Sequence, residues 1–400
     1  MKHQCLLLLV AALGGFSPGI VPASAQTWTP TSAPNNSWTS LASSADGTRL
    51  VAASNGGGIY TSTDSGTTWT MATNAPHSFS VHWTSVASSA DGARLIAAAL
   101  DNLIYTSPDS GIAWATNNVP AASWYSVACS ADGTRLAAVC FPGANNLFLS
   151  TNSGATWFSN NVPSNDRHFI TMSADGATLI AITQVGGIYA STNSGTTWVT
   201  NNAPSLGWST VASSADGTKL VAAVLNLGGP SYPGTIYCST NSGASWHSNN
   251  VPAKGWSSVA SSADGTRLIA TAPNGISIYA STNSGATWVS NTVPNAGTVF
   301  GSVASSADGN KLVAATTKAS TIWTCQSPPS PQMNLNPAGN NLVLSWIVPS
   351  TNFVLQQNLD LTATNWADVT NAPTLNLTNL QNQVALPLPA GNAFYRLKTP

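Results

Sequence analysis

The chain contains no glutamate. All 13 of its acidic residues are aspartate, and charged side chains make up only 6 % of 400 residues. Long amphipathic helices dress their wet face with Glu and Lys. The Ser, Thr, Asn, Gly, Val and Trp that dominate here suit strands and turns instead. The composition therefore predicts an all-β protein. A formal net charge of −1 and the lack of a basic stripe leave nothing to neutralise phosphates, so nucleic acid is not an expected partner. Past the N-terminus no apolar run approaches membrane-spanning length, so no membrane span is expected. Cysteine is sparse too, with five in all.

What is present begins with MKHQCLLLLVAALGGFSPGIVPASAQ. A short basic start, an apolar run and the small residues Ala23-Ser24-Ala25 read as a signal peptide over 1–25, cleaved after Ala25. The expected location is secreted, periplasmic or cell-surface. Cys5 leaves with that peptide. Export would permit disulfides between Cys129, Cys140, Cys238 and Cys325. Cys129 and Cys140, however, flank one tight turn. If it centres on Asp132-Gly133, Cys129 faces Leu136, and Cys140 lies about 13 Å further along the strand. That is beyond disulfide reach.

Two phrases recur. A-D-G places its Asp at 46, 91, 132, 175, 216, 264 and 308, spacings of 41 to 48 residues. TSTDSGTTW (61–69), TSPDSGIAW (106–114), STNSGATW (150–157 and 281–288), STNSGTTW (191–198) and STNSGASW (239–246) follow the first six. This period is that of propeller blades. Each unit parses into four strands, with D-G and the second phrase as hairpin turns. The seventh unit ends after its third strand, Thr321–Thr324. The segment Gln26-Thr27-Trp28-Thr29-Pro30 matches the missing fourth strand. The expected architecture is a seven-bladed β-propeller over 26–326, closed by its N-terminal strand, which removes the exposed edges of an open array.

The pattern S/T-x-D/N-x-G-x-x-W resembles the Asp-box, or bacterial neuraminidase repeat. Over about 26–326 the chain is similar to the propellers of sialidases, sortilin-type receptors, xyloglucan-active glycosidases and photosystem II assembly factors. The resemblance implies a fold and leaves function open. A sialidase, as the resemblance implies, needs three converging arginines, an acid and a Tyr–Glu pair. With no glutamate, that mechanism cannot be assembled. The phrase itself reads as architecture: Asp64 and Asp109 are replaced by Asn152, Asn193, Asn241 and Asn283 in other copies. A turn cap tolerates that exchange, whereas a general acid or a calcium ligand does not. A cation follows the A-D-G aspartate by three residues in six of seven copies (Arg49, Arg94, Arg135, Lys219, Arg267, Lys311; Thr178 breaks the series), predicting bridges between exposed turns.

Beyond the repeat positions only Asp101 and Asp166 remain as propeller carboxylates, the weak candidates for a two-Asp glycoside hydrolase, which is the alternative function. His77, His82, His168 and His247 lack metal-ligand spacing, and no cofactor or metal is expected. Binding is better supported. Eight residues before each A-D-G aspartate stand Trp38, Trp83, Trp124, Trp208, Trp256 and Phe300, with Arg167 in the fourth copy. A ring of aromatics can stack on sugars or clamp a peptide, or it can wedge between neighbouring blades. Asp166-Arg167-His168 interrupts the ring with charge. It is the expected ligand site, with glycan or extracellular protein as partner and the chain a monomer. The loop Leu225–Gly234, with Tyr232, is a second departure from the repeat. After a Pro-rich linker (327–331), residues 332–400 read as a small β-sandwich. Its Trp346, Trp366 and Tyr395 belong to a core or to a ligand platform.

Overall fold

The structure, a computed structural model, describes residues 27–77, 80–100, 103–120, 122–141, 147–160, 162, 168–184, 186–225, 234–272, 277–293, 299–317, 321–326, 333–347, 354–360, 365–376, 381–389 and 391–398. The signal-peptide segment, the linker 327–331, Asp101, Asp166, Arg167, Tyr232 and the side chain of His168 lie outside the described residues. Every regular element described is a β-strand, and no described helix is long and apolar enough to cross a membrane. The chain divides into two units, Met1–Cys325 and Gln326–Pro400.

The first unit contains seven four-stranded antiparallel sheets among the described residues. Sheet I comprises Trp38–Ser43, Leu50–Ser54, Gly58–Ser62 and Thr70–Met71 in spatial and chain order. Sheets II to VI repeat this plan within 82–116, 124–160, 168–200, 208–248 and 258–292. Sheet VII departs from it. Phe300–Ser305, Lys311–Thr316 and Ile322–Gln326 are completed by Trp28–Pro30, with Trp28 opposite Cys325 and Pro30 opposite Trp323. The first strand of each sheet packs on the first strand of the next, and that of VII returns to I.

The sequence explains how much of the join between sheets is made by uncharged groups. In W-T/S-S-V-A-S, the hydroxyl after the aromatic reaches the next sheet: Thr39 Oγ1 donates to the Trp83 carbonyl at 2.8 Å, as Thr84 does to Trp124 and Ser257 to Phe300. The following hydroxyl also crosses to the next sheet, accepting from the backbone. Val86 N donates to Ser40 Oγ, Val127 N to Ser85 and Val303 N to Ser258. A one-residue register shift after the aromatic, seen in sheets I, II, III, V and VII, aims these groups sideways. The alanines of the A-D-G turns add a second seam. Ala45 N donates to Ala90 O, Ala90 to Ala131, Ala131 to Ala174, Ala174 to Ala215, Ala215 to Ala263, Ala263 to Ala307, and Ala307 back to Ala45, each at 2.7–2.8 Å. The circle of backbone hydrogen bonds is closed.

The second unit has a four-stranded sheet in the order Met333–Ala338, Asn341–Ile347, Gln381–Pro387, Thr374–Asn376. A three-stranded sheet follows the order Ala367–Asp368, Val354–Asn358, Phe394–Lys398. Trp346 is buried with Leu342, Leu344, Leu355, Val384 and Leu386, and Tyr395 packs against that core. Core is therefore the reading the packing favours for both aromatics.

Candidate functional site

The carboxylates come first, because catalysis would need one unengaged. In each A-D-G turn the aspartate caps its own hairpin: Asp46 Oδ1 accepts from Ser44 Oγ at 2.6 Å and from Thr48 N at 2.9 Å. The Ser44 hydroxyl, with the Thr48 amide and hydroxyl, holds Asp46 down to about 2, and Ser130 with Thr134 does the same for Asp132. In the second phrase Asp64 Oδ1 accepts from Thr68 N at 2.8 Å, and Asn152 Oδ1 accepts from Thr156 N at the same distance. Acid and amide fill one role, as the exchange between copies predicts. The serine that follows adopts φ of 55–63° in all six copies. Its N–H bonds the A-D-G turn of the same sheet, as Ser65 N does to Thr48 O at 2.9 Å, so the two kinds of turn share one face.

The cations also act on that face, but not within their own turn. Arg49 donates from Nη1 to Ser110 Oγ of the next sheet, Arg94 to Ser153, Arg135 to Ser194, and Lys311 to Ser65 at 3.2 Å across the closure. Their stems lie over the next turn glycine: a Cβ on Gly133 would sit 2.6 Å from Arg94 Cδ. The expected bridges thus run between sheets; those of Arg49, Arg94, Arg135 and Lys311 end on serine hydroxyls and that of Arg267 on the Asn310 amide oxygen at 2.6 Å.

The aromatic ring requires a correction. Trp38, Trp83, Trp124, Trp208, Trp256 and Phe300 are 0–1 % exposed. Trp38 meets Tyr60 edge-on at 5.3 Å, Trp83 meets Tyr105 at 5.3 Å, and Trp256 meets Tyr279 at 5.2 Å. Strand alternation sends each ring into the apolar layer between neighbouring sheets, so none offers a face to a ligand. They are the wedges of the alternative reading. Arg167, their replacement in the fourth repeat, lies outside the described residues with Asp166. The backbone of His168 begins the first strand of sheet IV.

One opening was not anticipated. A cleft of about 710 Å³ between sheets I and II is lined by Asn74, Pro76 and His77 on one side and by Tyr105, Trp114 and Thr116 on the other. The connection behind it is long, with seven residues from Pro76 to Trp83 against four from Pro120 to Trp124. It is pinned by Gly56 N on Val81 O at 3.0 Å and by Asn74 Nδ2 on Ile112 O at 3.2 Å. Gly58 makes room: its Cβ would lie 3.1 Å from His77 Cβ. The His77 Nδ1 lies 3.0 Å from the Ala75 carbonyl. A carbonyl can only accept, so Nδ1 carries the proton and Nε2 of the neutral ring is an acceptor. The lining carries no carboxylate, lysine or arginine. It can stack on and hydrogen-bond an uncharged ligand. Among the described residues no group of three His, Cys or Asp side chains could hold a metal.

Four-stranded sheets packed in a closed cycle define the first unit as a repeat protein of the β-propeller class. Solved structures show the same likeness. YCF48 from Cyanidioschyzon merolae matches with a TM-score of 0.56 over 75 % of this chain and 98 % of that one, at 14 % identity. YCF48 bound to D1 peptide matches with a TM-score of 0.59 over 76 % and 100 %, at 15 % identity. At such identities the likeness is one of fold. No protein-family model and no curated protein matches the sequence.

Proposed function

We propose that the chain is an exported, non-catalytic binding protein: a seven-bladed Asp-box propeller followed by a small β-sandwich. Its ligand, a glycan or an extracellular protein, docks among the connections that lead from one blade to the next. The observation that carries this reading is the state of the carboxylates. Asp46, Asp64, Asp91, Asp109, Asp132, Asp175, Asp216, Asp264 and Asp308 are all the described aspartates of the propeller unit. Each accepts hydrogen bonds from its own turn. A scaffold that spends its acids on turns supports binding rather than acid–base chemistry. The shallow, open groove at His77, Tyr105 and Trp114 offers a surface on which a ligand can lie, and the Asp166-Arg167-His168 interruption is the second proposed contact. That YCF48 is known with a bound peptide agrees with a polypeptide as one ligand class.

The test is a glycan array run beside a pull-down from exported proteins, repeated with Trp114→Ala and Arg167→Ala. Loss of about 10-fold or more in affinity with either variant supports the reading. Glycoside turnover by the wild type that Asp101→Asn or Asp166→Asn abolishes would make the chain a hydrolase. Export is checked by N-terminal sequencing of the released protein, which should begin at Gln26.

A further inference from the structure

The second unit carries four charged side chains in all: Asp360, Asp368, Arg396 and Lys398. Three of them meet on one face of the three-stranded sheet. Gln356 stands opposite both Arg396 and Asp368 in the register, Val354 stands opposite Lys398, and Arg396 and Lys398 are two residues apart on one strand. This is the face turned away from the apolar core, to which Leu355 and Leu397 belong. Gln356 is nevertheless only 4 % exposed. Its amide is fixed at both ends: Nε2 donates to Asp368 Oδ1 at 2.6 Å, and Oε1 accepts from Arg396 Nε at 2.8 Å. Above it the Arg396 guanidinium lies 4.3 Å from the centroid of the Trp366 ring.

This arrangement fixes an arginine that remains exposed. One face of the guanidinium is taken by the indole and its Nε edge by Gln356, which leaves the Nη1–Nη2 edge for an end-on, two-pronged contact. Ordering the side chain in advance lowers the entropy lost on binding. A planar fork of this kind matches a carboxylate. Lys398 adds a second cation, and Asp368 brings the face back to a net +1. That balance suits the single carboxylate that each sugar of a uronate chain presents better than the denser charge of an acidic peptide, and the indole beside the fork offers a surface to a sugar ring.

We propose that Arg396, with Lys398 and Trp366, forms a carboxylate-binding site whose ligand is the uronate of an acidic polysaccharide. The site is independent of any ligand site in the propeller. The experiment is calorimetric titration of the full chain at pH 7 with oligogalacturonate, its carboxyl-reduced neutral analogue, free galacturonate and poly-aspartate. Oligogalacturonate should bind, free galacturonate more weakly, and the neutral analogue at least 10-fold more weakly. Arg396→Gln should weaken binding about 10- to 100-fold, the range for losing a charge-assisted pair. Arg396→Lys should lose most of it as well, because the charge stays while the fork goes. Should Arg396→Gln disturb the fold by circular dichroism, Lys398→Gln provides the second reading, with a loss of about 2- to 5-fold expected for an exposed charge. Absence of oligogalacturonate binding, equal binding of the neutral analogue, or unchanged affinity in both charge variants would overturn the proposal. Tighter binding of poly-aspartate would assign the site to acidic peptides instead.

Discussion

Trp28→Ala tests how the propeller unit is closed. Trp28 sits on a three-residue strand, the first of the described strands, yet it is 4 % exposed and shares a core with Phe300, Val303, Trp323, Ile269 and Ile278 from the other end of the unit. The strand is held by its pairing along Trp323–Cys325 and by Thr31 N donating to Ile322 O at 2.9 Å. Removing a buried indole costs about 3–5 kcal/mol. Against a total stability of about 5–15 kcal/mol this is a large share, and it corresponds to a melting temperature lower by roughly 5–8 °C. Trp28→Phe retains most of the volume and gives up an Nε1–H that has no protein partner, so it should cost much less. Urea unfolding of Trp28→Ala, Trp28→Phe and a variant lacking 27–31 measures the series. A peptide spanning 27–36 added to the truncated chain should recover part of the loss. If Trp28→Ala and the truncation both unfold at the wild-type midpoint, the strand does not close the ring and the argument from packing fails.

Four further outcomes follow from the turns and the core. Asp64→Asn with Asp109→Asn should leave stability within about 0.5 kcal/mol, since amides already fill this position in four copies; a larger loss in urea unfolding would mean that the acids do more than cap. Asp46 and Asp132 have folded values of about 2, below the ordinary carboxylate range. Their contribution is therefore complete above about pH 4 and lost as pH falls toward 2; a melting temperature unchanged across that window refutes it. Thr178→Arg should supply the missing clamp over Gly217 and toward Ser242, adding about 0–1 kcal/mol, seen as a melting temperature higher by up to about 2 °C. Burial pushes the Cys129 thiol up to about 12 and raises Cys140, Cys238 and Cys325. Ellman's reagent at pH 8 should thus find no reactive thiol in a folded chain beginning at Gln26, and four after denaturation.

The fold was legible because its turns are written in local chemistry. An aspartate that bonds the amide two or four residues on needs no distant partner, so A-D-G and S-T-N-S-G could be read in isolation. So could the Cys129–Leu136 register, which the pairing reproduces, with no disulfide among the four described cysteines. What needed the third dimension was everything between sheets. A tryptophan at the start of a strand has the same letter whether it faces a ligand or a neighbouring sheet, and only the packing buries it. The cations were legible as turn companions, yet the turn they serve is the next one, some 40 residues away in sequence. The cleft did leave a trace: three extra residues after Pro76 compared with the connection after Pro120.

The same features explain why so little charge suffices. A ring of seven sheets must be joined seven times, and ion pairs half-buried at every seam would each lose much of their Coulomb attraction to desolvation. Hydroxyls avoid that cost. Thr39, Ser40 and their counterparts satisfy carbonyls and amides across six of the seven seams while remaining neutral, and the alanine circle joins all seven with backbone alone. With charge at the seams confined to the cations of the repeat positions, a charge that appears elsewhere stands out against the scaffold. In the propeller that argument selects Asp101, Asp166, Arg167, Lys254 and Lys318; in the second unit it selects Arg396, where three of four charges converge on one face. A seam-building origin for Arg396 would predict hydroxyl partners like those of Arg49 and Arg94. Its partners are instead an indole, a buried amide and open solvent, the surroundings of a group held ready for a ligand.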